Sequence, residues 1–287
     1  MKTKFWGRCI AGLFVTFLWL PAYAGEEAGG SSTQPIAIVS ALTFETSKIV
    51  KQIEQPDHRK AFGRSFITGK LFNKDVIVGV LGVGLVNAAA GTAYLISHVH
   101  PKCIIFCGVA GGIKGKVAPG DVVIGIKNIN YGYGIWEKGR YSVMQSLPPL
   151  TPFSANDQKN PLFFPDSPFL VRAADRAEKL THLQPVKYEN KIINAHPKIV
   201  NGIIASVDAF SDSNNFYEHI EKITKCSALE MEGAAVAQVC YQRKIPFIII
   251  RGISDLANKN ALETFQHLKD QAAHNACRLV LEMVKNM

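Results

Sequence analysis

The 287-residue sequence lacks the features that mark several common tasks. It has no Lys/Arg cluster with interleaved aromatics, so a nucleic-acid-binding surface has no support despite a formal net charge of +9. Its six cysteines match no zinc spacing, and a disulfide framework suits smaller domains. No metal-ligand pattern appears elsewhere, so no metal or other cofactor is implied. There is no internal repeat and no sign of a second domain. The one conspicuous apolar run, CIAGLFVTFLWL, is too short for a membrane-spanning helix. What remains is ordinary globular material. Hydrophobic residues are 47% and charged residues 19%, enough apolar mass for a sizeable core.

That short apolar run sits where an export leader would. Lys2, Lys4 and Arg8 precede it, and AYA comes after it, before Gly25. Basic, apolar, then A-x-A is the layout of a secretory signal. The expectation is a signal peptide over 1–24, cleavage after Ala24, a Gly/Ser linker over 25–35 and one folded domain over 36–287. The product is then exported, with no membrane attachment after cleavage. Losing Lys2, Lys4 and Arg8 takes the charge from +9 to +6. Cys9 leaves with the signal, and Cys103, Cys107, Cys226, Cys240 and Cys277 remain. An odd count in an exported protein leaves a thiol free or paired between chains. The apolar settings of Cys103, Cys107 and Cys240 favour buried, unreactive thiols.

Beyond the linker, apolar runs alternate with helical patterns. IAIVSA (36–41), DVIVGVLGVG (75–84), CIIFCGVAGG (103–112), DVVIG (121–125), NGIIASVDAF (201–210) and IPFIIIRGISD (245–255) read as strands. They are continuously apolar rather than alternating, as strands covered on both faces are. LVNAAAGTAYLISHV (85–99) and the C-terminal ETFQHLKDQAAHNACRLVLEMVKNM read as amphipathic helices. The fold class is α/β: a single domain with a central, mostly parallel mixed sheet flanked by helices. Residues 128–169 break the rhythm, being rich in aromatics, Gly and Pro. Loops this long are often functional, and the aromatics argue for a packed one.

In open α/β sheets ligands bind beyond the carboxyl ends of the strands. The residues just past those ends are Glu45, the GVG turn at Gly82–Gly84, GVAGG at Gly108–Gly112, Asp208 to Phe210, and Ser254-Asp255. Each has a plain structural reading: a turn, a helix cap or a first-turn acid. GVG is no dinucleotide fingerprint, since Asn87 occupies the third glycine position. Together at one end of successive strands they favour a site. No histidine joins them. The stretch ALEMEGAAVAQV (228–239) adds two acids, Glu230 and Glu232, where a buried helix is expected to open.

The motifs IAIVSALTFE, GVGLVNAAAGTAYL, CGVAGGIKGKVAPGDVVI, SVDAF, ALEMEGAAVAQVC and IPFIIIRGISDLA, in this order and spacing, resemble the 5′-methylthioadenosine/S-adenosylhomocysteine nucleosidases of the nucleoside phosphorylase superfamily. The resemblance runs from about Ile36 to the C-terminus and is loose across 128–200. It implies a nucleoside phosphorylase-like fold and hydrolysis of the N-glycosidic bond of an adenine nucleoside. It implies Asp255 as the general acid protonating adenine N7, oriented by Ser254, and Glu45 as the base activating water. It places Met231 and Glu232 at the ribose, the carboxylate accepting from the sugar hydroxyls. Glu230 takes a supporting role. Phe210 stacks on adenine with the Ser211 backbone beside it, and Phe265 lines the 5′-substituent pocket. Val83, Val109, Ala110, Gly111 and Arg251 fall at substrate-proximal positions. Val109 stands where some members carry serine. The NYGYGIWEKGRYSV region lacks the usual His-Asp segment and looks more like secreted relatives, including plant storage proteins.

The resemblance also implies a homodimer whose subunits share pocket walls. Two other functions remain open at this point. A phosphorylase needs basic phosphate ligands near the first strand, where VSALTFE puts an acid. A non-catalytic nucleoside-binding or storage protein has no use for Glu45, Glu232 and Asp255 together.

Overall fold

A computed structural model describes residues 34–61, 63–146, 160–211, 213–256 and 261–287. The expected leader, its cleavage point, Cys9 and most of the linker lie outside the described residues, as does 147–159.

The chain opens with β1 (Ile36–Ser40), a 3-10 turn (Thr43–Thr46) and the single turn α1 (Ser47–Val50). Next come β2 (Glu54–Ala61), β3 (Arg64–Leu71), β4 (Lys74–Val80), α2 (Leu85–His98) and β5 (Cys103–Gly112). β6 (Val122–Asn130) leads into a hairpin of β7 (Gly134–Glu137) and β8 (Arg140–Val143). The short β9 (Phe164–Pro165) precedes α3 (Pro168–Glu178), and a second hairpin pairs β10 (Val186–Tyr188) with β11 (Lys191–Asn194). β12 (Ile199–Ser206), α4 (Asn214–Thr224), β13 (Ala228–Glu230), α5 (Gly233–Arg243), β14 (Phe247–Asp255) and α6 (Ala261–Lys285) complete it.

The main sheet runs β13-β12-β6-β14-β5-β1-β4-β3-β2, with β9 added beside β6. β1 pairs in parallel with β4 and β5, and β5 in parallel with β14. β14 meets β6 antiparallel, so the sheet is mixed around a parallel centre, as expected. β13 pairs with β12 on one side and β5 on the other. Five strands, β13-β12-β6-β14-β5, therefore close on themselves.

The continuous apolar runs have the predicted cause. Ile36, Ile38, Ile105, Ile124, Ile248 and Ile250 face α3 and α6 in one core. Their neighbours Ala37, Val39, Ile104, Phe106, Val123 and Ile249 face α2 and α5 in another. Alternate side chains thus enter opposite helical layers, and both must be apolar. The described cysteines, Cys103, Cys107, Cys226, Cys240 and Cys277, are all buried and free. Burial pushes the Cys103 thiol up to about 11.

Two details differ from the sequence reading. The strand expected over 201–210 ends at Ser206, and Asp208–Phe210 form a loop. The helix expected to open at Glu230 and Glu232 does start there, with Glu232 as the N-cap and α5 from Gly233, but Ala228–Glu230 just before it form a short strand, β13, that the sequence reading did not single out. Pairing with β12 on one side and β5 on the other holds these three residues extended.

The described parts of the aromatic insertion are packed. Tyr131 packs in a core with Tyr217, Ile220 and Leu229. The Tyr141 hydroxyl donates to the Tyr131 carbonyl, and Trp136 lies against Tyr141 with ring centres 5.4 Å apart. Beyond it, buried Asp166 accepts from Asn128 Nδ2 at 2.6 Å and the Ile249 amide at 2.9 Å. Those bonds tie the end of the insertion to β6 and β14.

Candidate active site

Glu45 lies just after β1 in the 3-10 turn. Leu42 is extended at the turn's start, and the Glu45 side chain folds back over it. Its Oε2 accepts from the Ala41 amide at 2.8 Å and the Leu42 amide at 2.7 Å. Its Oε1 accepts from the Val109 amide of β5 at 2.9 Å. Three backbone donors fix a carboxylate that is 2% exposed. Burial pushes its pKa up, and Arg251 with the three amides opposes the rise.

Arg251 is the hub. It lies on β14 with 0% exposure. One guanidinium nitrogen, Nη2, contacts Glu230 and lies 3.5 Å from Glu232 Oε2. The other, Nη1, is 3.8 Å from Glu45 Oε1 and donates to the Val109 carbonyl at 3.4 Å. The group stacks 4.2 Å over the Phe106 ring. Three buried carboxylates thus share one cation. Burial and the neighbouring Glu230 push Glu232 up to about 8, against Arg251 and the Gly84 amide. Arg251 itself is disfavoured by burial but raised by its three acids. The cluster sits tight against β5. A Cβ on Gly108 would overlap Arg251 Nη1 and lie 2.6 Å from Glu45 Oε1, so only glycine fits.

Glu230 and Glu232 divide the work at two helix ends. Glu230 Oε2 accepts from the Glu232 amide at 3.0 Å and the Gly233 amide at 2.7 Å. It caps α5 from just outside, where the helix dipole favours an anion. The Ser206 hydroxyl donates to Glu230 Oε1 and accepts from the Ala234 amide at 2.8 Å. Glu232 is the N-cap residue of α5, yet its side chain crosses to α2, where Oε1 accepts from the Gly84 amide at 2.9 Å.

Asp255 ends β14, paired in register with Gly111 of β5. Ser254 Oγ donates to Asp255 Oδ2 at 2.9 Å and sits 3.3 Å from the Ala110 carbonyl. Val109, Ala110 and Gly111 therefore lie between the two acids: Val109 holds Glu45 and Gly111 flanks Asp255. Phe210 is 49% exposed and meets Phe265 edge-on, ring centres 6.1 Å apart. Phe265 in turn packs near Val109 and Phe44. Ser211 is clamped by Tyr217, whose hydroxyl donates to its carbonyl at 2.6 Å. Met231 is half-buried and Val83 exposed.

A buried acid held by amides, a second acid beside a hydroxyl and a third at a helix end suit proton transfer across a sugar–base bond. The comparisons agree with that chemistry. The model of the phosphorylase superfamily matches residues 35–285. The chain belongs to this superfamily. It is 32% identical over 253 residues to the 5′-methylthioadenosine/S-adenosylhomocysteine nucleosidase of Shewanella halifaxensis, covering 88% of this chain and 99% of that one. Among solved structures it is similar to the nucleosidase of Neisseria meningitidis in complex with methylthio-immucillin-A. There the TM-score is 0.73 and identity 28%, covering 89% and 100% of the two chains. It is also similar to the nucleosidase of Colwellia psychrerythraea in complex with adenine. There the TM-score is 0.72 and identity 27%, covering 88% and 96%.

Glu45, Val109, Arg251, Glu230 and Glu232 are joined by direct contacts, Ser254 joins Ala110 to Asp255, and Phe210 meets Phe265, while Val83 and Met231 are placed only by sequence beside Gly84 and Glu232. Arg251 differs in kind. It was expected beside the substrate, but it is wholly buried and its partners are Glu230, Glu232, Glu45 and the Val109 carbonyl. Two contributors escaped the sequence reading. Ser206 looks like any serine at a strand end, and no local pattern links it to Glu230, 24 residues on. Asp208 was noted at the rim but given no task. The closeness of Gly108 to Arg251 was equally invisible, because the contact joins residues 143 positions apart.

Proposed function

We propose that the chain is an N-glycosyl hydrolase that cleaves 5′-methylthioadenosine/S-adenosylhomocysteine-type nucleosides and releases adenine. The observation that carries this reading is the pair Glu45 and Asp255, set on opposite flanks of Val109–Gly111, with Glu232 held nearby.

Breaking the sugar–base bond builds positive charge on the ribose and negative charge on adenine. Asp255 donates a proton to adenine N7 as the bond lengthens. Glu45 takes a proton from the water that attacks the anomeric carbon. One acid and one base on opposite sides of the scissile bond is the arrangement of inverting glycosidases. Both groups return to their starting states by exchange with solvent. The amides on Glu45 restrain its oxygens, and its burial keeps it basic enough to accept a proton. Glu232 accepts from the sugar hydroxyls, with Met231 against the ribose. Phe210 stacks on adenine beside the Ser211 backbone, Phe265 lines the 5′-substituent pocket, and Val83 lies close to the substrate.

The phosphorylase alternative gains no support from the first-strand turn. Residues 41–46, ALTFET, carry no basic group, and the acid in them is already held by three amides. The fully formed acid cluster argues against a storage role.

Two further parts of the reading concern context. The exposed aromatic and apolar side chains Tyr133, Ile135 and Trp136 offer a face for a second copy, so we propose a homodimer in which this hairpin approaches the partner's pocket. The basic–apolar–AYA N-terminus supports export to the periplasm or beyond. The test of function is incubation of pure protein with 5′-methylthioadenosine, with and without phosphate. Adenine and free sugar should form at the same rate in both. 5-Methylthioribose-1-phosphate would indicate a phosphorylase, and no turnover a binding protein.

A further inference from the structure

Helix α2 cannot cap itself. Gly84 stands at its N-cap, Leu85, Val86 and Asn87 fill its first turn, and no cap side chain or first-turn acid is present. Asn87 instead donates back to the Val83 carbonyl at 2.8 Å. A helix start of this kind leaves several amides without partners. Two acids from elsewhere take the first two. Gly84 N–H donates to Glu232 Oε1 at 2.9 Å, and Leu85 N–H donates to Asp208 Oδ1 at 2.8 Å. Consecutive amides therefore hold two carboxylates, one from the start of α5 and one from the loop after β12.

The turn that presents those amides depends on outside support. Gly82 and Gly84 both have positive φ, 96° and 95°, which glycine adopts freely and therefore leaves freely. On one side Arg64 donates to the carbonyls of Leu81 at 3.1 Å and Asn87 at 3.2 Å. On the other side stands Asp208, so close that a Cβ on Gly84 would lie 3.1 Å from its Oδ1. Asp208 is exposed, unlike the three acids around Arg251. It sits two residues before Phe210.

We propose that Asp208 is a positioning residue. By capping α2 it fixes the Gly84 amide, and the Gly84 amide fixes the Glu232 carboxylate in the orientation that receives the sugar hydroxyls. The proposal rests on the reading of Glu232 as the ribose ligand. It gives the aspartate of SVDAF a task distinct from the aromatic two positions later. It also explains why an aspartate suits the site: the group must accept, and it benefits from the positive end of the helix dipole.

The test compares Asp208→Ala with Asp208→Asn, which keeps an acceptor and caps as well as aspartate. Loss of an N-cap is worth about fivefold in a helix-end equilibrium. In Asp208→Ala the KM for 5′-methylthioadenosine should rise about five- to tenfold while kcat stays within about threefold. The preference for this nucleoside over its 2′,3′-dideoxy analogue, as a ratio of kcat/KM, should fall to about a fifth. Asp208→Asn should recover most of that preference. Hydrogen exchange at the Gly84 amide gives a readout that needs no turnover. It should accelerate in Asp208→Ala and be restored in Asp208→Asn. An unchanged preference with unchanged Gly84 exchange in Asp208→Ala overturns the proposal, as does an Asn variant no better than Ala. If the wild type fails to cleave the nucleoside, the functional reading falls, and the exchange arm alone decides whether Asp208 fixes the Gly84 amide.

Discussion

Replacing Arg251 by methionine strands three acids. Methionine keeps similar length but removes the charge from a side chain with 0% exposure that contacts Glu230, Glu232 and Glu45. Taking away one partner of a buried ion pair typically costs about 3–5 kcal/mol. Here the stranded groups have an escape, which is protonation. Arg251 holds down both Glu45 and Glu232, and Glu232 already sits at about 8 with its help. Without Arg251 both rise further, so the folded variant keeps protons to higher pH than the wild type does. The unfolded chain binds none of these protons well above 4.5, the ordinary glutamate value. A proton held only by the folded state means stability that is present at low pH and lost as pH rises. Each whole proton so gained makes the variant's deficit grow by about 1.4 kcal/mol per pH unit, and the growth sets in as pH approaches 8, where wild-type Glu232 gives up its proton. Urea unfolding of both proteins at pH 6, 7 and 8, read as midpoint at matched m-value, measures it. A deficit that is flat with pH, or shrinks as pH rises, refutes the reasoning.

Three other outcomes are expected from the same geometry. Asp255→Asn keeps the shape and the Ser254 neighbour but no longer delivers a proton, so kcat should fall about 10²–10⁴-fold with binding of a substrate analogue retained; turnover within about threefold of wild type removes Asp255 from the acid role. Gly108→Ala drives a methyl into Arg251 and Glu45, and overpacking of this kind costs about 1–3 kcal/mol; a variant with wild-type stability and rate shows that the cluster can shift. Size-exclusion chromatography with light scattering on the chain from Gly25 onward should give a dimer, and a monomer of roughly 29 kDa with full activity at nanomolar concentration, an ordinary domain size, rules out a shared pocket.

Much of this arrangement was legible in the sequence because strand ends dictate it. β5 spans Cys103–Gly112, the bounds its apolar run and glycines set, and the rim acids Glu45 and Asp255 come where β1 and β14 stop. The pattern was strong there because both faces of each strand are buried. It gave no sign of β13, a three-residue strand between β12 and β5 that carries no periodicity of its own. It was silent on β2, which is polar and almost wholly exposed, and on β3, where buried Phe66 and Leu71 stand too far apart among half-buried residues to give a rhythm. Long-range roles were the least visible. Nothing near Ser206, Asp208 or Gly108 in sequence announces Glu230, Leu85 or Arg251 as neighbours. The resemblance supplied functional assignments for single positions, while the contacts that make Arg251 a hub and Asp208 a cap emerge only from the packed chain.

In the proposed reaction water, activated at Glu45, replaces adenine on the sugar. Turnover of 5′-methylthioadenosine in phosphate-free H₂¹⁸O, monitored by mass spectrometry, tests it most directly. Hydrolysis should give free adenine together with a sugar carrying one ¹⁸O at the anomeric carbon, and both products should be lost in Glu45→Gln. Adenine release that depends on phosphate, with an unlabelled sugar phosphate as the product, would contradict it.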